Sequence, residues 1–198
     1  MARQVRQALT RARFPIVLMM CTYAGAVTVG AIMAHTGNAF ALRTGDHLVA
    51  RAHAEDPASL ALAKGNRFQA AGWDFSRNLL LGAIPNTIGG LAIGIPYLMA
   101  TYRGWVGGIV SVDRRHVSRL KDPQERTYYL VTLLLQLIPY SLAGGAGVRV
   151  GVAYLRRRQN PGPLWMGLPR EAVGDVLLIY VLVVPLFALA SVWEFLMR

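Results

Sequence analysis

NLLLGAIPNTIGGLAIGIPYLMATYRGWVGGIVSV, from Asn78 to Val112, runs for 35 residues with a single charge, Arg103. At about 1.5 Å per residue one straight helix of this length would reach about 52 Å, well beyond the roughly 30 Å of a bilayer's hydrocarbon core. The stretch is also punctuated by Pro85, Gly89, Gly90, Gly94, Pro96, Gly104, Gly107 and Gly108. It therefore reads as a broken double span over 78–112: two short crossings, or one crossing and a re-entrant half-helix. Irregular backbone at that depth must be buried in protein or line a wet cavity.

Around it lie three further apolar runs. Phe14 to Ala34 is 21 residues without a charge, preceded by Arg3, Arg6, Arg11 and Arg13. It is longer than the 7–15 apolar residues of a signal peptide, and residues 14–34 are read as a first, retained transmembrane helix with its N-terminus in the cytoplasm. A further span is expected over 127–148, holding Gln136, Pro139 and the run Ala143-Gly144-Gly145-Ala146-Gly147. The last is expected over 172–193, nearly pure Leu, Val and Ile around Asp175 and the kink-forming Pro185. The fold class that follows is all-α: one membrane domain over 1–198, polytopic, with about five transmembrane helices, some short or broken by Pro and Gly.

The connecting segments set the orientation. Residues 35–77 hold five basic and four acidic groups, residues 113–126 five and three, and residues 149–171 five and one. With five crossings the N-terminal arm and the triplet Arg156-Arg157-Arg158 share the cytoplasmic side, as the positive-inside rule prefers. The triplet is expected to meet anionic headgroups and fix orientation. Residues 35–77 become an extracytoplasmic interfacial segment, with two short amphipathic helices separated at Asp56-Pro57 and the second running through Ser59–Ala71. The location implied is a bacterial cytoplasmic membrane.

Composition agrees. Hydrophobic residues make up 54% and charged residues 16% of the 198, against roughly 45–50% and about 25% in soluble domains. Lys64 and Lys121 are the only lysines among 21 basic residues, and the net charge is +11. Without a basic patch interleaved with aromatics, that excess points to lipid rather than to nucleic acid. Cys21 stands alone, so neither an internal disulfide nor a cysteine metal site can form. His47 and His53 are six apart rather than at metal-ligand spacing on a helix, and no HExxH, GxSxG or phosphate-binding glycine loop occurs. No catalytic residue, cofactor or metal is assigned.

What stands out is the polar and small residues within the apolar runs. Gly90/Gly94 and Gly104/Gly108 form small-xxx-small pairs, and Gly144-Gly145 is a further small patch; such positions let helix backbones close on one another, within a chain or between copies. Asn78, Asn86, Arg103, Gln136 and Asp175 are polar within or beside apolar surroundings. Ionisable groups at depth point by default to function. The ordinary reading of Arg103 is a tight turn, Thr101-Tyr102-Arg103-Gly104, at the cytoplasmic surface between two spans. Asn86 and Gln136 are expected to bond across helices, and Asp175 to anchor a span end.

Two runs carry a resemblance. FSRNLLLGAIPNTIGGLAIGIPYLMATYRGWVGG (Phe75–Gly108) and LLLQLIPYSLAGGAGVRVG (Leu133–Gly151) resemble the two motifs of the stage II sporulation protein M family, over about residues 75–152. Arg103 stands where that family usually has Asn, and Gln136 where it usually has Glu. The resemblance implies a helical membrane protein of about five spans that acts as a non-catalytic partner in a membrane complex. Two functions are open at this point. The first is a scaffold that assembles other membrane subunits, as an oligomer. The alternative is a permease-like transport subunit or lipid or ion conduit beside an ATPase, with Asn86, Arg103 or Gln136 lining a wet cavity.

Overall fold

The computed structural model describes residues 1–157 and 162–197; Arg158 of the basic triplet lies outside them. The first helix, α1 (Ala2–His35), buries Ala8, Ala12, Ile16, Met19, Tyr23, Ala26, Gly30 and Ala34, a seam of steps of three and four residues. Its other face exposes Phe14, Val17, Leu18, Val29 and Ile32. The last helix, α8 (Arg170–Leu196), behaves alike: Ala172, Asp175, Ile179, Val183, Phe187 and Ala190 face inward, while Leu177, Val181, Val184 and Leu189 face out. A helix in water would be polar on that outer face. An apolar surface of this extent suits lipid.

Among the described residues three helices are long and apolar enough to cross a membrane: α1, α7 (Pro123–Arg156) and α8. α7 is the central one, with 56% of its apolar window buried against 28% for each of the other two. It runs opposite to α1 and α8, which place Ile16 against Gly145 and Asp175 beside Arg149. The expected spans over 127–148 and 172–193 are thus helical, but both helices continue into the expected loop over 149–171, which shrinks on the described residues to a hairpin, Leu164–Trp165 against Leu168–Pro169.

Residues 35–77 form three helices rather than two. α2 (Ala39–Glu55) is capped by the Asn38 side chain, which accepts from the amides of Phe40 and Ala41 at 3.1 Å each. Asp56 ends it and caps α3 (Pro57–Ala63), so the break at Asp56-Pro57 lies where the sequence puts it. The Ser59–Ala71 stretch is itself cut at Gly65, whose φ of +78° no helix accommodates, and α4 (Arg67–Ser76) restarts under an Asn66 cap. Ala58, Ala61, Ala70 and Ala71 pack around Phe195 and tie α3 and α4 to the end of α8.

The Asn78–Val112 stretch is broken, as its length demands. From α4 the chain enters a π-helical segment (Arg77–Ala83), then α5 (Ile84–Gly89) and a 3₁₀ turn (Gly90–Ala92), alongside α7 and in the same direction. It reverses at Ile93, which adopts a φ of 51°, and returns as α6 (Gly94–Ile109), parallel to α1. The reversal is therefore ten residues before Arg103. The expected turn at Thr101–Gly104 is corrected: those residues lie inside α6, whose start is set by Gly94 and by Pro96 in its first turn.

Glycines weld these passes together. A Cβ on Gly104 would run into the carbonyl oxygen of Tyr23, and one on Gly108 into that of Val27, joining α6 to α1. A Cβ on Gly90 would meet the backbone of Gly147, and one on Gly145 the backbone of Ile16 at 2.8 Å. Gly90, Gly104, Gly108, Gly144 and Gly145 each leave no room for a Cβ against atoms of this chain, whereas a Cβ on Gly94 would meet nothing within 4 Å.

Candidate functional site

Between α1, α6, α7 and the end of α8 lies a cavity of about 560 Å³, in the half of the bundle nearest α2. Arg103 and Gln136, singled out by sequence, both line it; Asn86 and Asn78 do not. Sequence reasoning missed the other polar residues of its wall: Tyr23, Tyr128, Tyr129, Thr132, Arg119 and Glu194. The volume is in the range of small-molecule pockets.

Each of these groups is positioned by a local feature. α6 is parallel to α1, and its glycine face is pressed onto α1, so Arg103 points away from that seam. Its guanidinium stacks over the Tyr140 ring, 4.0 Å from the centroid. Gln136 lies one helical turn before Tyr140 on α7 and faces Glu194 of α8 across the cavity. Tyr129 donates to the carbonyl of Gly107 at 2.8 Å. Arg119 belongs to the loop between α6 and α7, which Val112 and Ser118 pinch together as a bridge.

That loop is fixed from several sides. The Asp113 carboxylate accepts the amides of Val117 and Arg115, both at 2.8 Å, and these bonds hold its carboxyl below the ordinary range. A carboxyl depressed in this way stays ionised at neutral pH, and its hold on the loop is lost only as pH falls through the lowered value. His116 contacts Asp46 of α2 at 3.1 Å, and the His35 ring at the end of α1 meets Ser118 at 2.8 Å.

Behind Arg103 runs a buried polar chain. Tyr140 donates to Asn78 Oδ1 at 2.8 Å, Asn78 Nδ2 donates to Asp74 at 3.0 Å, and Ser191 donates to the same carboxylate oxygen at 2.8 Å. Arg77 joins Asp74 to Asp56. The π-helical segment brings Asn78 and Gly82 to Tyr140: a Cβ on Gly82 would lie 2.5 Å from the Tyr140 hydroxyl and 3.1 Å from Arg103 Nη2. Such segments are frequent at functional sites, and no residue pattern announces this one. Asn78 thus belongs to the chain that supports the cavity wall. Asn86 sits elsewhere, buried against Gly144, with its Oδ1 unpartnered.

A second cluster closes the opposite end of the bundle. Asp175 does more than anchor a span end, because Arg11 of α1 grips it with Nε 2.9 Å from Oδ2, and Arg149 of α7 approaches at 3.8 Å. Arg156 and Arg157 line a cavity of about 310 Å³ there with Arg149, Arg170 and Glu171. Among the described residues no group of His, Cys, Asp and Glu has metal-binding geometry.

Comparison with known protein families, with curated proteins and with solved structures found no match.

Proposed function

We propose that this chain is the non-catalytic membrane subunit of a transport system: a permease-like component, in the bacterial cytoplasmic membrane, that admits a polar solute into its bundle. The observation that carries the reading is the cavity, in which Arg103, Gln136 and Glu194 converge among helices whose outer faces are apolar. Charged and amide groups are kept at such depth where they meet a solute or water.

The reading has five crossings: the three long helices, the interrupted run from Arg77 to Ala92, and α6. The N-terminus is cytoplasmic. Arg11, Asp175 and Arg149 meet at one end of the bundle, so the basic N-terminal arm and residues 149–171 share that end. Together they carry nine basic residues and one acidic. The cavity is then in the outer half, beneath α2. The scaffold alternative drew on glycine packing. Here Gly90, Gly104, Gly108, Gly144 and Gly145 close on atoms of the same chain, so the packing supports the bundle and gives no argument for a second copy. The resemblance to the stage II sporulation protein M family fits either use.

Cysteine accessibility tests the cavity. In a Cys21→Ser background, Leu133 lines the cavity, while its neighbour Leu134 is exposed on the apolar face. A charged, membrane-impermeant maleimide applied to intact cells is expected to modify Leu133→Cys at least about tenfold faster than Leu134→Cys, because only a wet thiol ionises. Ala153→Cys, at the opposite end, is expected to react only after permeabilisation. Equal, slow reaction at 133 and 134 would remove the wet cavity. Co-purification in mild detergent separates the alternatives: an ATPase chain supports transport, and wall hydrolases or further copies of this chain support the scaffold.

A further inference from the structure

The geometry points to an amphiphilic organic anion as the cavity's ligand, a phosphate or carboxylate head on an apolar body, held by Arg103 and Arg119. The inference rests on the wet cavity proposed above and adds the class of molecule that occupies it.

Charge is the first ground. The wall carries two guanidiniums, Arg103 and Arg119, and one carboxylate, Glu194. Among the described residues no carboxylate lies within ion-pair distance of either arginine. Arg103 has the face of the Tyr140 ring beneath it and Tyr23 nearby, both uncharged. Arginines elsewhere in the bundle are matched although they are partly exposed: Arg11 and Arg149 share Asp175, and Arg77 shares Asp74 and Asp56. A cation at depth without a counter-charge is costly, and this sets Arg103 of α6 apart.

Unfilled hydrogen bonds are the second ground. Arg119 Nε and Thr132 Oγ1 are buried with no partner, and both residues line this cavity. Buried polar groups are rarely left so, and a missing partner is the usual explanation. The orphan on Arg119 is a donor, as are the guanidinium hydrogens of Arg103. A ligand that satisfies them must bring acceptors, and an anionic oxygen is the strongest match to a guanidinium.

The rest of the wall sets the body of the molecule. Met99, Val106, Val110 and Leu133 are apolar, and the tyrosines add ring faces. Inorganic phosphate would leave this surface bare, whereas one apolar arm or ring would cover it. The head chemistry has two sources, a soluble organic acid or ester and the phosphate of a membrane lipid.

The test uses the full chain in nanodiscs of phosphatidylcholine. Phenyl phosphate is titrated by calorimetry, with benzyl alcohol as the neutral control. One site per chain is expected for phenyl phosphate and none for the alcohol. Affinity should fall at least about tenfold in Arg119→Gln and again in Arg103→Gln, the scale of one charge-assisted contact. If Arg103→Gln does not fold, Arg119→Gln and Thr132→Val still carry the test. Repeating the titration with phosphatidylglycerol in the nanodisc separates the sources: unchanged binding assigns a soluble anion, and competition by one tightly held lipid assigns a headgroup. Absence of phenyl phosphate binding in both lipids, or binding that both arginine variants leave intact, overturns the inference. With Leu133→Cys still labelled, that result removes the anion and leaves the wet cavity standing.

Discussion

Gly147→Leu abolishes the folded bundle: the variant is expected to elute as aggregate in mild detergent, with no cooperative melting transition. At Gly147 of α7 the backbone of α5 passes so closely that a Cβ would lie in the Thr87 carbonyl oxygen and 2.8 Å from the Thr87 Cα. One turn on, Gly90 approaches Gly147 just as closely from the other side of the same crossing. No rotamer change relieves this, because the obstructing atoms are main chain. Even Gly147→Ala forces the segments apart, which costs about 1–3 kcal/mol in a well-packed core. A leucine asks for several times that displacement, against a total stability of about 5–15 kcal/mol. The control is Gly25→Ala on α1, where the added methyl meets nothing within 4 Å. There the helix gains about 0.5–1 kcal/mol of propensity. A monodisperse Gly147→Leu with the wild-type transition would show that α5 does not cross α7 at this point. A folded variant that only loses a partner chain would move this glycine from the interior to an assembly surface.

The same pair of residues shows what a sequence can and cannot say. Length and composition were enough to break Asn78–Val112, since no straight helix fits 35 residues into one bilayer. They did not place the reversal. Arg103 drew the turn to itself as the lone charge, whereas Gly94 and Pro96 mark a helix start and were the better signal. Gly90 and Gly94 are indistinguishable as a small-residue pair; only the path of α7 makes one indispensable and leaves the other free. Arg103 and Gln136 could be flagged because each interrupts an apolar run. Glu194 and Arg119 could not, because one ends a run and the other sits in a charged loop, where a charge is ordinary. That Glu194 meets Gln136 and Arg103, 58 and 91 positions away, is a tertiary fact. Nor does any pattern foretell the π-helical segment that brings Asn78 to Tyr140.

The second large effect is expected at the other end of the bundle, from Asp175→Ala. The Asp175 side chain is 1% exposed and is held by Arg11, itself 35% exposed, with Arg149 at 3.8 Å and 19% exposed. Glu171 completes the group, 3.5 Å from Arg11 and 3.6 Å from Arg149. Removing one member of a buried pair costs about 3–5 kcal/mol, because the remaining charge is left unmatched. Arg11 is a third exposed, so water and Glu171 recover part of that, and about 2–3 kcal/mol is the expected loss. For a chain of this size that lowers the melting temperature in detergent by about 5–10 °C. The loss has a structural direction too, since Asp175 is the point at which α1, α7 and α8 are pinned in register. Replacing both partners, Arg11→Met with Asp175→Leu, removes the mismatch instead of exposing it, and should recover most of the stability. Were Asp175→Ala to melt with the wild type, the cluster would be a solvated surface group and the register would be set by the glycine seams alone. Were the double variant no better than the single one, the cost would lie in lost packing around position 175 rather than in the stranded guanidinium.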